Sequence, residues 1–364
     1  MKVRSSLTCG ALVLSTKLLF AQDPSIDRLL NKLPPPEKLA KPPVEQAMQG
    51  SDPATKDPLA RQVILAARAR NFPQALNAAQ KLTRRYPQSA AAFCLRGLAA
   101  LTVRRVDEAS SAFDTAIAIR PKFLLAHFGL ALVEGVRGRY AEAIPHLQRM
   151  TEIDPKNWIA YYALSDCALR SGRKEQSLSY AKKATELAPS QAVAWLQLAK
   201  AEKAMGHKDA TLNAINKGAE VSPDSAGLLA TVGFSYIDLD RIPQAIPPLE
   251  RAAKLSPKNY LVQSQLGFCL ETVGQTDAAI AHLKKGASLN SAYGPVWEHL
   301  GLAYEKQGRH RDAVSAFEKA TQRMPTSRLA WQHLAVEYAA IGRAADAQRA
   351  EARAQRLPPA KKKA

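Results

Sequence analysis

The sequence predicts an all-α solenoid of antiparallel helix pairs, and three observations carry that expectation. Prolines recur on a 34-residue grid, at Pro87, Pro121, Pro155, Pro189, Pro223, Pro257, Pro325 and Pro359, with Ser291 in the one vacant place. Between them, small residues return at fixed slots without a single insertion. Composition agrees: 46% of the 364 residues are hydrophobic but only 6% are aromatic and Ala is plentiful, which favours helix packing over a β-sandwich or barrel. A period of this length marks architectures whose single unit cannot bury its own apolar face.

The chain begins with "MKVRSSLTCGALVLSTKLLFAQDP". Lys2 and Arg4 precede an apolar stretch from Leu7 to Phe20, and Ala21 stands before polar Gln22 and Asp23, so residues 1–21 read as a secretory signal peptide. The stretch is short for a membrane span and Lys17 interrupts it; an uncleaved N-terminal anchor facing the periplasm is the alternative. Residues 22–55, "LPPPEKLAKPPVEQ" among them, are expected to be a mostly irregular Pro-rich linker. The solenoid is expected over 56–357, followed by a basic tail at 358–364 with Lys361, Lys362 and Lys363.

With Pro at slot 32, the units run 56–89, 90–123, 124–157, 158–191, 192–225, 226–259, 260–293, 294–327 and 328–361. Slot 15 is Gly138, Gly172, Gly206, Gly274, Gly308 and Gly342, where a helix must close in a left-handed residue. Slot 20 is Ala75, Ala109, Ala143, Ala245, Ala279, Ala313 and Ala347, with Ser177 and Thr211 in the others, and slot 8 is Gly97, Gly233, Gly267 and Gly301. Small residues at both slots imply close approach of two helices. Each unit is therefore helix A (slots 1 to 14), a turn, helix B (about 18 to 31) and a proline that cannot continue the hydrogen-bond ladder. Pro247 and Pro248 predict that helix B of the sixth unit is bent or starts late.

Trp297, Leu300, Gly301 and Tyr304, followed by Ala313, Phe317 and Pro325, resemble the full tetratricopeptide signature. Partial matches include Phe93, Gly97, Ala109, Phe113 and Pro121; Trp195, Leu198 and Pro223; and Trp331, Leu334, Tyr338, Ala347 and Pro359. The resemblance implies a right-handed superhelix whose concave groove, lined mainly by helix A, binds peptides or partner proteins. In that family the groove uses slots 2, 5, 9, 12 and 13. Here those slots give the candidate site: Leu98, Leu101, Leu125, Phe128, Leu132 and Tyr162, then Phe234 and Phe268, with Asp166, Arg170, Lys200 and Lys203 between them. An apolar channel with a charged middle suits an extended or helical segment with hydrophobic anchors. An apolar helical stripe is equally the mark of a core. The carboxylate clamp of chaperone-tail binders is not expected, because slots 5, 6 and 9 hold mostly Leu, Phe, Ala and Gln.

Nothing in the sequence points to catalysis. H-E-x-x-H, G-x-S-x-G, G-x-G-x-x-G and P-loop strings are absent, and no cofactor or metal is expected. His299 and His333 share slot 6 of adjacent units but read as solvated, since a zinc site wants more ligands. Cys94, Cys167 and Cys269 read as small buried hydrophobes.

The formal net charge is +19, or +16 without Lys2, Arg4 and Lys17, which fits contact with an anionic membrane surface or cell-wall polymer. Many of these cations follow helix A, as in Gly138-Arg139 and Gly308-Arg309, where they offset the negative helix end. The leading expectation is an exported, non-enzymatic scaffold or adaptor in the cell envelope. Two alternatives stand beside it: an accessory subunit of an envelope enzyme or secretion complex, and a basic helical-repeat RNA binder, against which export and the strict period argue.

Overall fold

The computed structural model describes residues 52–358. The signal-like segment, the linker up to residue 51 and the Lys tail lie outside the described residues. Two compact units divide the chain, Met1–Thr211 and Leu212–Ala364.

In the first, a short 3-10 helix, Pro53–Lys56, precedes α1 (Pro58–Arg68), α2 (Phe72–Arg85), α3 (Ala90–Thr102), α4 (Val106–Ile119), α5 (Leu124–Val136), α6 (Tyr140–Ile153), α7 (Trp158–Arg170), α8 (Lys174–Leu187) and α9 (Ala192–Ala204). The division falls within α10 (Lys208–Val221). The second holds α11 (Ala226–Asp238), α12 (Ile242–Leu255), α13 (Tyr260–Thr272), α14 (Thr276–Leu289), α15 (Gly294–Lys306), α16 (His310–Arg323), α17 (Arg328–Ala340) and α18 (Ala344–Gln355). Odd-numbered helices are helix A of their repeat and even-numbered ones helix B. Within each unit, consecutive helices pack as pairs, and helix A also touches the next helix A, as α3 does α5 and α15 does α17.

Helix starts are set locally. Ser89, Asn157, Ser225, Asn259 and Ser327 each accept a hydrogen bond from a backbone N–H of the first turn they cap. Helix A closes at slot 15 in a left-handed residue, as at Gly274 (φ 82°). The same conformation is held by Arg70, Arg104 and Asp240, with φ of 56°, 60° and 59°. In the first eight repeats helix B ends two residues before the grid position, whose carbonyl several of the following A helices use. Trp195 Nε1 donates to Pro189 O at 2.7 Å and Trp331 Nε1 to Pro325 O at 3.1 Å; at the vacant place, Trp297 Nε1 donates to Ser291 O at 3.0 Å. Slot 4 thus pins these A helices to the turn before them, as His127 and Gln263 do at Pro121 O and Pro257 O.

The core sits between the A and B helices. Phe113, Phe317, Leu249 and Leu283, all at slot 24 of helix B, are fully buried, each by burial alone contributing about 1.5–3 kcal/mol. They lie over the small residue at slot 8: a Cβ on Gly301 would come within 2.6 Å of Phe317 Cε1, and one on Gly267 within 2.6 Å of Leu283 Cγ. In one repeat Ser165 and Ser177 replace the small pair and hydrogen-bond each other at 3.1 Å, with Gln197 Nε2 donating to Ser165 Oγ at the same distance.

The described residues begin at Asp52, four before the solenoid start expected at 56. Asp52 is buried and accepts hydrogen bonds from Ser89 Oγ (2.6 Å) and Ala91 N (3.3 Å), while Ala54 is fully enclosed. Asp52 and Ala54 thus pack against the start of α3. The expected late start of the sixth helix B does not occur. With Pro243, Pro247 and Pro248, α12 still begins at slot 17 like its neighbours and runs 14 residues, because Ala245, Leu249 and Ala252, all fully buried, hold it against its pair.

Candidate partner-binding face

In the first unit the structure separates the candidate residues into two groups. Leu101, Leu125, Phe128 and Leu132 are 4% exposed or less. They fill the interior and offer almost no surface to a ligand. The physical reason is the A-to-A contact: α3 lies against α5, so these four side chains, at slots 12, 2, 5 and 9 of Ala-rich helices, are enclosed between helices. Leu98 remains half-buried on α3.

Tyr162, Asp166 and Arg170 fall on one face of α7 at i, i+4 and i+8. Asp166 is 3% exposed and accepts from Arg170 Nε at 2.6 Å, and the same guanidinium lies 5.2 Å from the centre of the Tyr140 ring. The charged middle is thus largely an internal ion pair. Burial opposes the Arg170 charge, but the Asp166 carboxylate outweighs it and the arginine's pKa is raised. Tyr162 sits edge-on to Trp158 at 6.5 Å. On α9, Lys200 is half-buried and Lys203 exposed.

The second unit carries a longer exposed ladder. Phe234 (α11) and Phe268 (α13) are half-buried at slot 9, and the same slot continues through half-buried Leu302 (α15) to Val336 (α17), which is 58% exposed. Leu329, at slot 2 of α17, is 44% exposed. Leu302, Val336 and Leu329 were missed by sequence reasoning, although the register that found Phe234 and Phe268 also holds them.

Beside this ladder runs a row of acids and imidazoles. His299, expected to be solvated, is three-quarters covered: its ring lies 4.7 Å from that of Phe268, and its Nδ1 is 3.9 Å from Glu271. Burial holds its pKa below the usual histidine value, the Glu271 and Glu298 charges acting the other way. His333 stacks on Phe317 at 5.4 Å and shares a hydrogen between Nδ1 and Glu305 at 2.8 Å. Glu271, itself 7% exposed, is paired by Lys306. The two histidines are thus used one by one, each with the slot-12 glutamate of the preceding helix A. Among the described residues no group of three potential ligands could hold a metal ion, and no helix is long and apolar enough to cross a membrane.

A stack of two-helix repeats with a fixed 34-residue register defines a helical repeat protein. Family models described as tetratricopeptide repeat match residues 61–122, 94–157 and 128–192, then 176–299, and finally 294–327. The chain belongs to the tetratricopeptide repeat family. No curated protein matches the chain. Similar solved structures include MamA (25% identity, 43% of this chain and 92% of that one, TM-score 0.42) and MamA from Desulfovibrio magneticus RS-1 (19%, 47% and 96%, 0.42). YrrB, described as a tetratricopeptide-repeat protein with an unusual peptide-binding site, shares 20% identity over 50% of this chain and 95% of its own, with a TM-score of 0.47. All the matching family models are repeat models, and none is of a catalytic family.

Proposed function

We propose that the protein is a non-enzymatic scaffold that binds a protein or peptide segment along the exposed slot-9 face of its A helices, in the cell envelope after export. The observation that carries the reading is the ladder in the second unit. Phe234, Phe268, Leu302 and Val336 recur at one register position, and Val336 is left more than half exposed without an internal need for it. Helix A faces of this kind take apolar side chains of a partner segment spaced to match the repeat.

The reading of the N-terminal residues as a signal peptide supports export, and export in turn favours protein over nucleic acid as the partner. Contact of the basic surface with an anionic membrane or cell-wall polymer fits the same location. Crosslinking and pull-down from whole cells tests the reading, using the intact chain beside Leu329→Glu/Val336→Glu. These two exposed positions can be changed without opening the core. A partner captured by the first and lost by the second supports the proposal; equal capture by both rejects the slot-9 face.

A further inference from the structure

A second site lies on the other side of the second unit. On α15, Trp297, Leu300 and Tyr304 point about 140–200° around the helix from Leu302, at 100° per residue. They floor a cavity of about 620 Å³ walled by α14 and α16. Three cations line it, Lys284, Lys319 and Arg323, against a single acid, Asp312, which already accepts from Arg309 Nε at 2.8 Å. Neither Lys284, Lys319 nor Arg323 has a carboxylate within ion-pair distance among the described residues; the two lysines instead rest on rings, Lys319 Nζ 4.3 Å from Trp297 and Lys284 Nζ 5.7 Å from Tyr304.

The repeat supplies its own comparison. One repeat on, Tyr338 occupies the slot of Tyr304 and Arg343 lies over its ring at 4.3 Å, just as Arg309 lies over Tyr304 at 4.4 Å. There the phenol donates to Glu318 Oε1 at 2.7 Å, and Arg343 is also within 3.5 Å of that carboxylate. Two repeats back, the same slot pair is Tyr236 with Asn216, whose Nδ2 donates to the phenol oxygen at 3.3 Å. The slot that holds Glu318 or Asn216 elsewhere holds Lys284 here, and the Tyr304 hydroxyl makes no hydrogen bond among the described residues. A phenol donor and an arginine are in place, the internal carboxylate is missing, and three more cations surround the gap.

We propose that this cavity is a binding site for an acidic peptide segment of a partner protein, one of whose carboxylates takes the place beside Tyr304 that Glu318 takes beside Tyr338. A lone carboxylate would satisfy Tyr304 and Lys284 and leave Lys319 and Arg323 unmatched, so a run of acids is required. Cation-lined clefts raise the local concentration of such ligands, and charge-assisted hydrogen bonds fix them.

The test uses the full-length chain and a fluorescent hexaglutamate peptide, read by anisotropy, with free glutamate as competitor. Lys284→Glu rebuilds the neighbouring arrangement inside the chain, and Lys156→Glu makes the same charge change at an exposed residue of the first unit. The expected result is peptide binding weakened at least about tenfold by Lys284→Glu and less than about twofold by Lys156→Glu, since Lys156 is not among the residues lining the cavity. Lys319→Gln, which removes a cation without adding an acid, is expected to weaken binding about threefold or more with helicity unchanged, and serves alone if Lys284→Glu does not fold. Absence of binding, equal loss in the Lys156 variant, no loss on Lys319→Gln, or competition by free glutamate at concentrations matching the peptide's acids overturns the proposal.

Discussion

The ring of Phe113 is wedged between Gly97 of its own repeat and Gly129 of the next. A Cβ on Gly97 would stand 2.7 Å from Phe113 Cε1, and one on Gly129 only 2.3 Å from it. The ring is fully buried and has nowhere to retreat. Gly129→Ala is therefore expected to lower stability by about 1–3 kcal/mol despite its better helix propensity, the overpacking outweighing the propensity gain. Chemical denaturation followed by circular dichroism reads the change, and an unaltered midpoint would show that the core yields more easily than its packing implies.

The left-handed slot makes an opposite prediction. Arg104 holds φ 60° at the position that is glycine in six other repeats, and a side chain there costs about 1–2 kcal/mol in backbone energy. Part of that is offset because glycine gives the unfolded chain more freedom. Arg104→Gly is expected to raise stability by up to about 1 kcal/mol, measured in the same denaturation experiment; a loss would mean that the arginine side chain contributes more than the strain removes.

The division between core and face also separates by mutation. Leu132 is fully buried, and Leu132→Ala should cost about 2–5 kcal/mol. Val336 is 58% exposed, and Val336→Ala should stay within about 0.5 kcal/mol. Comparable losses in the two variants would contradict the assignment of Leu132 to the interior and Val336 to the exposed face.

Much of this was legible from spacing alone. The grid proline, slot-15 glycine and small slots 8 and 20 fixed the helix pairs, because each carries a backbone or steric requirement that recurs once per unit. The candidate face was legible only in part. Leu98 and Leu132 share slot 9 and residue type, yet one is half-buried and the other fully enclosed. That difference depends on what packs over the slot in the folded stack, and it is invisible to a pattern. His299 illustrates the same limit. Its partners, Phe268 and Glu271, belong to the preceding repeat, and their approach depends on helix packing, not on local sequence.

Histidine burial gives the protein an acid sensitivity. Burial lowers the pKa values of His146, His282 and His299. The unfolded chain, with histidines near pKa 6.5, then binds more protons than the native one below that pH. Stability is thus complete above about pH 6.5 and declines as pH falls further. His299→Gln is expected to lose less melting temperature between about pH 7.5 and 5.5 than the parent. Parallel curves for the two proteins would remove His299 from the account.

Cys94, Cys167 and Cys269 are fully buried, and burial pushes their thiols up, those of Cys167 and Cys269 to about 12. In native protein these three should react with a thiol reagent only as fast as the fold opens, and rapidly in denaturant. Fast native labelling at any of them, located by mass spectrometry, would show that its repeat opens locally.

The most direct test of the central claim is site-specific photocrosslinking in whole cells, with a photoreactive residue at Val336, and in a separate strain at Lys156 as an exposed position off the ladder. The account predicts a discrete crosslinked partner from Val336, with the crosslink mapping to an apolar residue of that partner, and no such product from Lys156. The same product from both positions, or none from Val336 while a partner still co-purifies, would contradict recognition by the slot-9 face.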